Sequence, residues 1–147
     1  MVTAAGSSAR DTKAITPANC TGVIAVGAVD KFGERAPTSN FGDEVTLSAL
    51  GGNMATGERN GVFTTTNTGR SRPRNPAMGF YQSTSAAAAR VSGALAVLAA
   101  RNAAATSSEL EVQLLANIDA FAPGKCDAGE GNCGQGILNL SRLLAKS

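Results

Sequence analysis

The chain has 147 residues, a length that suits one compact domain. Hydrophobic residues make up 43% of it, but aromatics only 4% and Trp none, so a core must be built from Ala, Val, Leu and Ile. A net charge of +2 points to no particular partner, and the complete absence of histidine excludes any mechanism that draws an imidazole base or metal ligand from this chain.

Val2 to Ala5 is short and apolar and is followed by Gly6-Ser7-Ser8, which reads as a buried strand ending in a turn. Met1 runs straight into it, as expected for a chain that starts inside a domain. No basic-then-apolar leader opens the sequence, and no apolar run is long enough to cross a bilayer. Thr21 to Val29 is the clearest strand, apolar on both faces as central parallel strands are. Asp30-Lys31-Phe32-Gly33 turns the chain. Glu44 to Leu50 is a third strand closed by Gly51-Gly52, and Gly61 to Thr66 a fourth, rich in β-branched residues. Arg70 to Gly79, with three arginines and two prolines, reads as an exposed, solvated loop rather than an anion site.

Ser83 to Arg101 is almost all Ala, Val and Leu, a helix without a polar face that is expected to be buried on nearly all sides. A second helix starts at Thr106 to Ser108, with Thr106/Glu109 or Ser108/Glu111 as a capping box. Val112, Leu115 and Ile118 give it an apolar face, with Leu114 beside it. A last helix is expected after Gly136, with Ile137, Leu140, Leu143 and Leu144 at helical spacing. Strands followed by helices predict a layered α/β domain.

Three cysteines are present, so at least one cannot pair within the chain. Cys126 and Cys133 flank a Gly-rich segment that can fold back, which predicts a local disulfide and an oxidising compartment. The alternative is three free thiols in a reducing one.

Chemistry is expected where Tyr81-Gln82-Ser83-Thr84-Ser85 leads into the Ala-rich helix. A helix N-terminus favours an oxyanion, and a serine there can present its hydroxyl to a substrate. Read locally, however, Ser83, Thr84 and Ser85 are ordinary N-cap residues.

The segment Thr84-Ser85-Ala86-Ala87-Ala88-Ala89-Arg90-Val91-Ser92-Gly93 resembles the Gly-Thr-Ser-Met-Ala-Ala-Pro-His-Val-Ala-Gly nucleophile segment of the subtilisin-like serine proteases. Five further landmarks follow that family's order. They are Ala4-Ala5-Gly6, then Pro17-Ala18 with Val23 to Ala28, Ser39-Asn40-Phe41-Gly42, Ala49-Leu50-Gly51-Gly52, and Gly134-Gln135-Gly136-Ile137-Leu138-Asn139. Each alone is weak; six in order are specific, and they cover nearly the whole chain. Asn60 to Thr65 and the Cys126–Cys133 loop look closest to secreted bacterial extracellular proteases.

The resemblance implies part of a subtilisin-like three-layer α/β sandwich, with a parallel sheet and a central buried helix. Residues 1–147 would be the C-terminal part of the peptidase domain. It implies serine endopeptidase chemistry on a polypeptide substrate, with Ser85 as nucleophile. Gly6 and Ser7 fall in the oxyanion region, and Ala4, Ala5 and Thr84 fall in the substrate-binding strand and helix start. The family's base and its orienting aspartate lie in an N-terminal half, a possible partner of this chain. No nucleic acid and no membrane is implied. Secretion or a periplasmic location is. No cofactor is needed; calcium enters by resemblance only, since no acidic cluster here has convincing ligand spacing.

Departures fall on catalytic landmarks. Ser7 stands where the family has the oxyanion asparagine, a donor whose loss costs about 10²–10³ in turnover, a magnitude established on subtilisin rather than derived from this chain. Ser83 replaces a glycine, Ala89-Arg90 replaces Pro-His, and Leu50 replaces a proline. As it stands, the chain is expected to be inactive alone, either as a noncatalytic remnant that binds peptides or partners or as a subunit completed by a separate half. Thr16-Pro17 lies where the family often has a cis proline; from the sequence alone the trans bond is the default.

Overall fold

A computed structural model describes residues 1–126 and 132–145. Five short strands form one mixed sheet. In chain order these are β1 (Val2–Ala4), β2 (Ile24–Val29), β3 (Val45–Leu50), then β6 (Ile118–Asp119) and β7 (Ile137–Leu138), arranged β1-β2-β3-β7-β6. The β1–β2, β2–β3 and β3–β7 pairs are parallel, and only β6–β7 is antiparallel. A separate antiparallel hairpin pairs β4 (Val62–Asn67) with β5 (Pro76–Tyr81). Three helices follow or close the chain, α1 (Thr84–Arg101), α2 (Ser107–Leu115) and α3 (Leu140–Ala145). The α/β expectation is met.

Every residue of β2 is buried, which explains its unbroken apolar run. One face of the sheet packs against α1. Ile24, Val26, Ala28, Leu47 and Ala49 form a single cluster with Ala87, Val91, Ala94 and Leu98 of the helix. Small side chains on both sides let the helix settle close to the sheet. On β3, the buried hydroxyl of Ser48 donates to Cys133 O at 2.9 Å, tying the C-terminal loop to the sheet.

Four readings of the sequence are corrected by the packing. Helix α1 is not buried all round. Within this chain it buries one stripe, and Ser85, Ala89, Ser92, Gly93, Ala96 and Ala100 are exposed along the opposite side. The Arg-rich stretch is a loop only as far as Asn75. Pro76 to Tyr81 pairs with β4, and Pro76 is tolerated because it opens a strand that lies at an edge. Ile137 and Leu138 do not begin the last helix. They form β7, because Ser48 N donates to Gly136 O at 2.8 Å and draws the segment onto β3. In α2 the buried residue is Leu114, whereas Val112 is 68% exposed and Ile118 already belongs to β6.

Other readings stand. Thr106 caps α2 and forms the box with Glu109. Cys126 and Cys133 are disulfide-bonded, and Cys20 is a free, exposed thiol. The segment between the paired cysteines, 127–131, lies outside the described residues. One further expectation does not stand: the Thr16–Pro17 peptide bond is cis, where the sequence alone left trans as the default.

Candidate active site

Three stretches distant in sequence meet at the start of α1. The first is the turn that leaves β1. Ala4 pairs with Val26, and the fully buried Ala5 donates its amide to Val26 O at 2.9 Å. Gly6 then takes φ +101°, a left-handed conformation that a side chain disfavours. A Cβ there would also lie 2.3 Å from the Asn40 amide nitrogen. Asn40, only 2% exposed, holds this turn from both sides. Its Oδ1 accepts from Ser8 N and Arg10 N, each at 3.0 Å, and its Nδ2 donates to Ala5 O at 2.8 Å.

The second stretch is the end of β3. Gly51 N donates to Val29 O at 2.9 Å, and Gly51 O accepts from Ser83 N at 3.0 Å. A Cβ on Gly51 would lie 2.6 Å from Ser83 O, so the close approach requires glycine. The third stretch is Ser83 to Ser85. Ser83 is extended, with φ −179° and ψ 154°, and serves as the N-cap of α1.

The structure therefore brings Gly6, Ser7, Thr84 and Ser85 together. Gly6 N donates to Thr84 Oγ1 at 3.2 Å, and the hydroxyls of Ser7 and Thr84 are 3.1 Å apart. Thr84 N donates to Ser7 Oγ at 3.2 Å, and Ser85 N donates to Ser83 Oγ at 2.8 Å. Two amides that a helix N-terminus would offer to an anion are thus taken by serine hydroxyls of the same chain. Ser85 itself is exposed, and among the described residues its hydroxyl has no hydrogen-bond partner. Ala4 and Ala5 lie one step back along β1, and Cys126–Cys133 joins a different part of the fold, under β3.

Arg90, one turn and a half into α1, is half-buried. Burial pushes its guanidinium below the ordinary arginine value. Among the described residues it has no carboxylate partner. No group of three or more His, Cys, Asp or Glu side chains converges among the described residues. An acidic donor set for calcium is not assembled there. No helix among them is long and apolar enough to cross a membrane.

Residues 1–134 match the model of the subtilase peptidase family. The chain belongs to the subtilase family. It is 34% identical over 144 residues to an extracellular protease of Xanthomonas campestris, covering 98% of this chain and 23% of that protein. It is 35% identical over 136 residues to an extracellular basic protease of Dichelobacter nodosus, covering 90% of this chain and 21% of that one. The chain thus spans under a quarter of the length of these relatives. Among solved structures, a protease from Pseudoalteromonas arctica superposes with a TM-score of 0.86 at 34% identity, over 97% of this chain and 41% of that one. A cold-adapted subtilisin-like serine proteinase superposes with a TM-score of 0.70 at 22% identity, over 92% and 43%, and shares the fold.

Two residues that organise this subtilase site carry no role in the sequence reading. Asn40 and Gly51 stand inside the landmark motifs Ser39 to Gly42 and Ala49 to Gly52, yet neither motif says what the residue holds. Their position within landmarks was the available signal. Their bonds to Ser8, Arg10 and Ser83 appear only once the chain is folded.

Proposed function

We propose that this subtilase chain is the nucleophile-bearing part of a secreted serine endopeptidase, with Ser85 as the nucleophile, and that alone it does not turn over peptides. The observation that carries the reading is the placement of an exposed serine at the first turn of α1, beside the Gly6-Ser7 turn. In the reaction, Ser85 Oγ attacks the peptide carbonyl carbon while its proton passes to a base. The base returns that proton to the leaving amine as the C–N bond breaks, and water then hydrolyses the acyl-enzyme. No histidine exists in the sequence to act as that base, so another polypeptide segment has to supply it. Loss of the triad histidine costs about 10⁶ in turnover, a magnitude established on subtilisin itself.

A second reading is favoured by the Ser83–Ser85 bond, which occupies the nucleophile's own amide. In it the chain binds peptides or a partner without cleaving them. A fluorophosphonate probe separates the two. The purified chain is expected to show no turnover of a peptide substrate. Mixed with a polypeptide carrying the preceding segment of the same domain, it is expected to be labelled at Ser85 and not in the Ser85→Ala variant. Turnover by the chain alone that Ser85→Ala abolishes would overturn the claim of dependence. Absence of labelling in a mixture shown to associate would leave the noncatalytic reading.

A further inference from the structure

Charge is divided unevenly along this chain. Between Glu58 and Glu109 there are six arginines, namely Arg59, Arg70, Arg72, Arg74, Arg90 and Arg101, and no acidic residue at all. Removing those six from the thirteen basic residues leaves seven against eleven acidic ones. The overall +2 is therefore +6 on one continuous stretch and −4 on everything else. The ion pairs Lys125–Glu34 and Arg142–Asp119 both lie outside that stretch.

Half of those arginines stand at the tip of the β4–β5 hairpin. Arg70, Arg72 and Arg74 are exposed, and with Thr68, Ser71 and Pro73 they line a cleft of about 670 Å³. The hairpin has an apolar side as well. Its register sets Phe63 opposite Phe80 and Thr65 opposite Met78, so Phe63, Phe80 and Met78 share one face. The two rings are 5.1 Å apart, and Phe63 and Met78 are 58% and 54% exposed. The hairpin is a sheet of two strands only, which leaves an outer edge of backbone groups open to an extended chain. At its base β5 runs through Gln82 into Ser83 and Ser85.

We propose that the β4–β5 hairpin is a recognition arm for an acidic stretch of polypeptide. An extended segment adds along the open edge, Phe63, Phe80 and Met78 take its apolar side chains, and Arg70, Arg72 and Arg74 take its carboxylates. Edge addition supplies sequence-independent affinity, and side-chain contacts select the sequence. The guanidinium fork matches a carboxylate in two parallel hydrogen bonds, which favours Asp and Glu over neutral residues. The arm is six residues long on each strand, roughly 20 Å at about 3.3 Å per residue. Acidic residues would therefore engage the tip at least about six positions from the part of the segment that crosses the hairpin base, where β5 leads on to Ser85, and the link to cleavage rests on the proposed role of Ser85. Nucleic acid fits less well, because the Phe63–Phe80 pair lies four register steps from the end of the hairpin that carries the arginines, so rings and guanidiniums do not form one platform for a stacked single strand.

Fluorescence anisotropy tests it, using a labelled 14-residue peptide with glutamates at one end, the same peptide with glutamines, and a single-stranded oligonucleotide of equal length. The glutamate peptide is expected to bind about tenfold tighter than its glutamine twin, as three exposed ion pairs acting together can supply, and to lose that advantage in high salt. The triple variant R70Q/R72Q/R74Q is expected to bind both peptides equally and to unfold at the same temperature as the parent, since its arginines are exposed. A triple Arg→Lys variant is expected to recover part of the preference and thus separates charge from damage to the arm. Equal affinity of the parent for the two peptides, a preference that survives in R70Q/R72Q/R74Q, or tighter binding of the oligonucleotide than of the glutamate peptide would each overturn the proposal. Binding is read without chemistry at Ser85. A failure here leaves the labelling result standing, and a failure of labelling leaves this one standing.

Discussion

The hydroxyl of Ser83 accepts the amide hydrogen of Ser85 at 2.8 Å. On the role proposed for Ser85, that amide stands beside the attacking oxygen, where negative charge develops on the substrate. A glycine at position 83 would leave it open. Here the chain uses it to start its own helix. An N-cap serine contributes about 1 kcal/mol, so the hydroxyl is a weak occupant that a stronger acceptor can displace.

Removing that hydroxyl has two expected consequences. Ser83→Ala loses about 1 kcal/mol of stability and Ser83→Gly only a few tenths, because glycine is itself an acceptable cap. In both variants the Ser85 amide exchanges its hydrogen faster. Urea unfolding and amide exchange followed by NMR measure the two effects. An unchanged Ser85 exchange rate in both variants would show that the cap is not formed in solution.

Asn40 is expected to be among the least replaceable polar residues. Asn40→Ala removes the acceptor of the Ser8 and Arg10 amides and the donor to Ala5 O, all at the turn that positions Ser7. The Ala5 carbonyl is buried and loses its partner, while the Ser8 and Arg10 amides lie on exposed residues that water can reach, so a loss of about 1–3 kcal/mol is expected. Asn40→Asp keeps the acceptor and loses the donor, and should fall between. Denaturant midpoints rank the three proteins, and an alanine variant as stable as the parent would refute the clamp.

The capping box of α2 makes stability depend on acid pH. Hydrogen bonds from the Thr106 backbone and then its side chain hold the Glu109 carboxyl below its ordinary 4.5. A depressed folded-state value means that the unfolded chain takes up the proton first. The contribution is therefore complete above the ordinary value and is lost as pH falls through the lower, folded one. Glu109→Gln should remove this part of the pH dependence. Unfolding midpoints of parent and variant should differ in their slope between neutral pH and pH 3, and identical slopes would count against it.

Reduction of Cys126–Cys133 should destabilise the fold modestly. The paired residues are 7 apart in sequence, and closing so short a loop is worth about 2–3 kcal/mol in the chain-entropy account. Without reductant, a thiol reagent should modify one residue per folded chain, Cys20. A second thiol titrated under those conditions would mean that the disulfide is not formed.

Much of this was legible in one dimension. The lack of histidine rules out an internal imidazole base whatever the fold. The unbroken apolar run of β2 announces a strand covered on both faces, and the order of six short landmarks identifies the family. Thr106 with Glu109 reads as a capping box because both partners lie within one helical turn. Each of these is a property of composition or of neighbours a few residues apart.

Tertiary structure alone decided the rest. Whether Ile137 continues a helix or joins a sheet depended on Ser48, 89 positions earlier, which pairs with it. Pro76 to Tyr81 became a strand because β4 was available to pair with it, against the composition of the loop before it. The exposed side of α1 could not be read from a segment that is apolar all round. It is the side turned away from the sheet and from Leu114 and Leu143, which join the buried stripe of α1 in one core cluster. The site follows the same logic. Thr84 meets Gly6 and Ser7 across separations of 78 and 77 residues, and Asn40 reaches back over 35 to Ala5. A hydrogen bond between such groups is directional and works over about 3 Å, so its partners are chosen only when folding has brought the strands into register.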